Sequence, residues 1–245
     1  MSNPIFNKFA NNENKDGLEN SLAKEPMTVS GTINVTLMLG IILIVSAGFV
    51  WSQFAAGYND MANMLMIGGL IAAVVSYIIL LFTRSKILIP IYAVGEGFAI
   101  GGLSCMFEAQ FPGIVIQAVA GTFAALFSML ILYKFNVIKC TDKFRSVIFI
   151  ATLSIAGMYL IDIIGMLFHH SVPFLHSSSP FGLLVSAVII IIAALNLIID
   201  FDFIERGAQN MLPKDMEWFG GFALIVTLVW LYLEILDFLA KLNRK

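Results

Sequence analysis

Charge is what this sequence has least of. Asp, Glu, Lys and Arg make up 12% of its 245 residues against 59% hydrophobic ones, and mean hydropathy is +0.91. Soluble domains carry roughly 25% charge, so a water-soluble fold is excluded. The net charge of -2 and the lack of a basic run give no footing for nucleic acid. Cysteine is nearly absent: Cys105 and Cys140 fall near opposite membrane faces, too far apart for the Cα separation of about 7 Å that a disulfide needs. Both are expected to be free. No connection between apolar stretches exceeds about 15 residues, which leaves no room for a soluble catalytic domain. A Gly-rich phosphate loop, a nucleophile elbow and a zinc-protease helix are missing, and no enzyme is expected. His169, His170 and His176 have no acid or cysteine beside them in their loop, which argues against a zinc site. The chain start lacks a basic segment leading into a short apolar run, so a cleaved signal peptide is not expected.

What is abundant is apolar sequence of membrane length. A helical span needs about 20 residues, and seven stretches qualify, at about 33–55, 61–82, 87–107, 113–133, 146–168, 181–203 and 218–240. The fold class is therefore an all-α integral membrane protein, a seven-transmembrane-helix bundle in the lipid bilayer. Residues 1–30 read as a flexible polar tail and residues 31–245 as the transmembrane domain. Lys and Arg precede the first span and follow the second, fourth and sixth, but are missing after the first, third and fifth. That alternation puts the N-terminal tail in the cytosol. Lys241, Arg244 and Lys245 break it, and seven complete spans place them outside. Gly97 and Gly101, four residues apart, mark a close helix contact. Ser177 to Pro180 supply a cap and a first-turn proline for the sixth span.

Acids inside these spans are the candidate functional residues, because an ionised carboxylate in hydrocarbon must be paired, hydrated or protonated. Asp202 and Arg206, spaced i, i+4, are expected to pair. Asp200 shares a stripe with Asn196 and has no such cation. It lies near the electronegative end of its helix, where the backbone dipole and lost hydration both oppose its charge. The plain alternative is a partly hydrated helix-end acid. Glu234, Asp237 and Lys241 lie close to one stripe of the seventh span. Either Lys241 holds both acids in a ladder, or Glu234 senses protons or contacts an ion. Asp162 and Glu96 lie inside the fifth and third spans without a cation on their own helix. They read as a polar path or as protonated donors in packing. Glu108 reads as interfacial and solvated.

Ala194-Leu-Asn-Leu-Ile-Ile-Asp200-Phe-Asp-Phe-Ile-Glu205-Arg-Gly207, then Met216-Glu-Trp218 and Val229-Trp-Leu-Tyr-Leu-Glu234-Ile-Leu, resemble the Bax inhibitor-1 family in its bacterial, YccA-like branch. Asn3-Pro-Ile-Phe6, Met27-Thr-Val29, Gln117-Ala-Val-Ala-Gly-Thr122 and Leu132-Tyr-Lys134 agree with it. The resemblance implies a bundle with the last helix central and a pH-sensitive calcium leak in a bacterial cytoplasmic membrane. It further implies a proton-sharing pair of acids that gates the path. Asp200 and Glu234 match that pair, although the family's usual residue at the second place is Asp. Arg84 is the nearest match to a basic latch after the second helix. A departure concerns spacing: Asp200 and Glu234 are 34 residues apart, about ten more than is typical. A turn near residue 210 would offset them by roughly 20 Å along straight helices. A longer sixth helix, a bend at Gly220-Gly221, a loop folded under the bundle, or proton sharing between Asp200 and Asp162 would resolve this.

The leading expectation is a proton-gated leak with calcium as permeant ion, transiently held near Asp200 and Glu234, and with no cofactor. The alternative is a membrane interaction protein whose tail and loops regulate a membrane protease or a stress response. An intramembrane hydrolase is disfavoured, since the Gly-x-Gly-Asp element of aspartyl proteases is missing.

Overall fold

A backbone in hydrocarbon must satisfy its own hydrogen bonds, and each apolar stretch does so as a helix. The computed structural model describes residues 25–83, 85–168 and 172–244. Among them, seven helices are long and apolar enough to cross a membrane. They are α1 (Val29–Ala55), α2 (Asn59–Phe82), α3 (Leu88–Gln110), α4 (Ile114–Lys134), α5 (Asp142–Leu167), α6 (Pro180–Gln209) and α7 (Met216–Asn243). A single helical turn, Pro173–His176, sits between α5 and α6. The protein is an all-α membrane bundle.

Local sequence sets the helix starts. The side chains of Thr28, Thr141 and Ser179 accept from the N–H groups of Gly31, Phe144 and Gly182, capping α1, α5 and α6. Pro180 takes the first turn of α6 as expected. Gly113 enters α4 with φ +86, a conformation that disfavours any side chain. Both Cys105 and Cys140 are free thiols.

The last helix is central. α7 packs against α1, α3, α4 and α6, while α2 lies outside on α1 and α3, and α5 lies outside on α6. Leu231, Leu236 and Ala240 of α7 are wholly buried. α1 and α4 both flank α7 but share no packed interface. The contact between α1 and α3 is as close as Gly97 and Gly101 imply. A Cβ at Gly97 would stand 2.5 Å from the Leu43 carbonyl oxygen, and one at Gly101 would stand 2.6 Å from that of Ala47.

Of the tail expected over 1–30, residues 1–24 lie outside the described residues. Residues 25–28 are stitched to the loop between α6 and α7. Pro26 and Pro213 form an antiparallel bridge, the Met27 N–H donates to the Leu212 carbonyl at 2.7 Å, and Glu25 pairs with Lys214. Met27 is 2% exposed, with its sulfur against Gly207. Both the N–H and the hydroxyl of Thr28 donate to Glu217 at 2.9 Å.

Candidate functional site

The register of α6 against α7 decides what the candidate acids can do together. α6 extends to Gln209, six residues past the end of its apolar stretch, because the polar residues there all find partners. Asp202, 6% exposed, accepts from Arg206 one turn on, as expected, and also from Arg145 of α5. Glu205 accepts from the Tyr133 hydroxyl of α4 and from Gln209. Arg206 also reaches the Cys140 carbonyl at 3.3 Å. At that edge, outside the spans, burial pushes the Cys140 thiol pKa up.

With α6 lengthened, Asp200 stands opposite Thr227 of α7, whose hydroxyl donates to it at 2.7 Å. Glu234 lies seven residues beyond Thr227, about 10 Å along the axis. The offset is thus about half of that expected from a turn near residue 210, and the proton-sharing pair implied by the resemblance does not form by direct contact. Among the described residues no hydrogen bond joins the two acids. Nor does Asp200 share a proton with Asp162. That residue sits near the opposite end of the bundle, bound by the Val172 N–H at 2.7 Å and the His176 ring at 2.8 Å. Asp162 fastens the α5–α6 connection and is not a mid-span station. Of the three histidines, His169 and His170 lie outside the described residues.

Glu234 is 6% exposed on the central helix. Its Oε1 accepts from the Tyr159 hydroxyl of α5 at 2.6 Å and from the Trp230 ring N–H at 2.9 Å. The cation of its own stripe does not hydrogen-bond it: Lys241 bonds Asp237 at 2.6 Å and the Ser186 hydroxyl of α6 at 2.8 Å. The ladder therefore holds for Asp237 and Lys241 but is replaced at Glu234 by two neutral donors. Lys241 is 2% exposed, a deeply buried ammonium.

The remaining candidates are dispersed. Asn196 donates to the Thr152 hydroxyl and to the Ile192 carbonyl, both at 2.9 Å, and so joins α6 to α5. Glu96 is half-buried in α3. Glu108 is not merely solvated, since it accepts from the N–H groups of Gly113 and Val115 and so caps α4. Arg84 lies outside the described residues. Beside it, Lys86 pairs with Asp215 at 2.8 Å and ties the α2–α3 connection to the start of α7.

Asp200 and Glu234, like Glu96 in α3, are span acids without an ion-pair partner among the described residues. Asp202 and Asp237 are neutralised by cations, whereas Asp200 and Glu234 are supported by hydroxyl and indole donors only. A buried carboxylate whose hydrogen-bond donors are all neutral bears a desolvation cost that a proton or a bound cation would reduce. Among the described residues no three acids, cysteines or histidines group as a metal site. Sequence reasoning missed Thr227, Tyr159, Arg145 and Ser186, since each reaches its partner from another helix. Trp230, one turn from Glu234, was the partner that spacing alone could have revealed.

A family model described as Bax inhibitor 1 like matches residues 3–244. A search of curated proteins found no match.

Proposed function

The chain belongs to the Bax inhibitor 1 like family, and on that premise we propose that it is a pH-sensitive cation leak, with calcium the permeant ion, in a bacterial cytoplasmic membrane. The observation that carries this reading is the pair of carboxyls, each hydrogen-bonded by neutral donors only, that bracket the middle of the central helix. Each ties α7 to a different neighbour, Asp200 to α6 through Thr227 and Glu234 to α5 through Tyr159. Gain or loss of a proton at either acid changes a tie between helices, and the two ties together bias α7 between a closed and an open packing. The acids act at two levels and not as one pair. Oxygen ligands at both levels suit a hard cation such as calcium. Neither a cofactor nor an enzymatic step belongs to this reading. The N-terminus faces the cytosol in it.

Calcium flux into proteoliposomes, measured against pH, tests it. Wild type should show a pH-dependent leak, and Asp200→Asn and Glu234→Gln should each change the profile. Profiles indistinguishable from wild type in both variants would remove the gating role.

A second reading, an adaptor for a membrane protease, is favoured by residues 25–28, which fix the exit of the N-terminal tail beside the start of α7. Deleting residues 1–24 separates the two. A leak keeps its flux, whereas an adaptor loses its partner in a pull-down.

A further inference from the structure

The flank that α1 and α4 leave open over α7 carries two cavities. One, of about 370 Å³, is almost wholly apolar, with Gly40 and Gly48 of α1 among its lining residues. Its polar members are already satisfied: Ser104 and Tyr232 bond each other at 2.6 Å, and Thr122 donates to the Ala118 carbonyl at 2.8 Å. The other, of about 880 Å³, lies toward the end where α1 begins and where Lys and Arg gather. It is two-natured. Ile33 of α1, Leu130 of α4 and Leu224 of α7 make an apolar wall, and Lys134, Lys139 and Arg206 stand at its rim.

The lining cations Lys134, Lys139 and Arg206 equal the lining acids Asp142, Asp202 and Glu205 in number, but their pairing is uneven. Asp202 is held by Arg145 and Arg206, and Glu205 accepts from Tyr133. Neither Lys134 nor Lys139 has an ion-pair partner among the described residues. Asp142 also lines the cavity. Arg145, which pairs with Asp202 from outside the lining, brings the cations around the cavity to one more than the acids. A free inorganic anion would leave the apolar wall wet, and a purely apolar chain would leave both lysines without a counter-charge. An amphiphile with a single negative charge satisfies wall and rim together.

We propose that this cavity binds one anionic phospholipid of the adjacent leaflet, its phosphate between Lys134 and Lys139 and an acyl chain along Ile33, Leu130 and Leu224. The lipid stands where α1 and α4 fail to meet, and so closes that side of the central helix.

Native mass spectrometry of the full chain, released from detergent after titration with phosphatidylglycerol or chain-matched phosphatidylcholine, tests the proposal. Each lysine near the headgroup is worth roughly a fivefold preference, so wild type should retain phosphatidylglycerol about twenty-fivefold better. Lys134→Gln with Lys139→Gln should bring the two lipids close to parity. Lys143→Gln, in the same basic region but not lining the cavity, should leave the preference unchanged. Ile33→Trp, which fills the apolar half and keeps both cations, should lower retention of phosphatidylglycerol. Inorganic phosphate should not displace the lipid. Parity in wild type, an unchanged preference in the double variant, full retention by Ile33→Trp, or displacement by phosphate would each overturn it. The readout is independent of ion flux, so it stands or falls apart from the leak.

Discussion

Thr227 donates the one hydrogen bond described between Asp200 and another helix, so a single hydroxyl satisfies that carboxyl within the packed α6–α7 contact. Thr227→Val leaves the carboxyl without its donor and should cost about 1–3 kcal/mol, while Thr227→Ser should cost far less, as read from unfolding in detergent. Tyr159 and Glu234 are coupled in the same way between α5 and α7. A double-mutant cycle with Tyr159→Phe and Glu234→Gln should return an interaction energy of about 1–3 kcal/mol. Values near zero would mean that the contact does not bias helix packing. At the bundle edge, the Lys214 ammonium beside Glu25 holds that exposed carboxyl below its ordinary value of 4.5. A lowered acid stabilises the docked segment above that ordinary value, and its contribution is lost as pH falls through the lowered one. Protection of the Met27 amide from hydrogen exchange, corrected for intrinsic rates, should accordingly fall on acidification. In Glu25→Gln this pH dependence should be gone.

At the scale of elements, close packing and open space are separable by glycine. Gly101→Ala forces a Cβ against the Ala47 backbone and should cost about 1–3 kcal/mol. Gly48→Ala, with nothing within 4 Å of the new carbon, should stay within about 0.5 kcal/mol. Thermal melts of the two variants in one detergent make the comparison. The helices themselves were legible in sequence, because an unbroken apolar stretch of membrane length has one backbone solution. Their ends were less so. The polar residues Asp202, Glu205 and Arg206 looked like the close of the sixth span, yet Arg145, Tyr133 and Gln209 carry the helix on to Gln209. That extension moved the turn and with it the level of Asp200 against α7. That Asp202 and Asp237 hold a cation could be read from spacing on one helix. The Tyr159 partner of Glu234 could not, since it lies 75 residues away in sequence. Whether Asp200 and Glu234 touch was left open for the same reason: sequence separation fixes depth only when the turn is known.

At the scale of the molecule, seven helices are long and apolar enough to cross, and seven crossings would put Val29 and Asn243 on opposite faces. In the proposed orientation, alkaline phosphatase fused after residue 245 should be active and the same reporter at the N-terminus should be silent. Activity at both ends, or at neither, would mean that one helix does not cross.

The seam between residues 25–28 and the start of α7 joins positions 189 apart in sequence at Thr28 and Glu217. During synthesis the first helix leaves the ribosome long before its partner exists, and a contact of such high order forms late. Until the seventh helix is inserted, the Thr28 amide lacks its carboxylate partner, and the seam stands open. The seventh helix thus completes the start of the first.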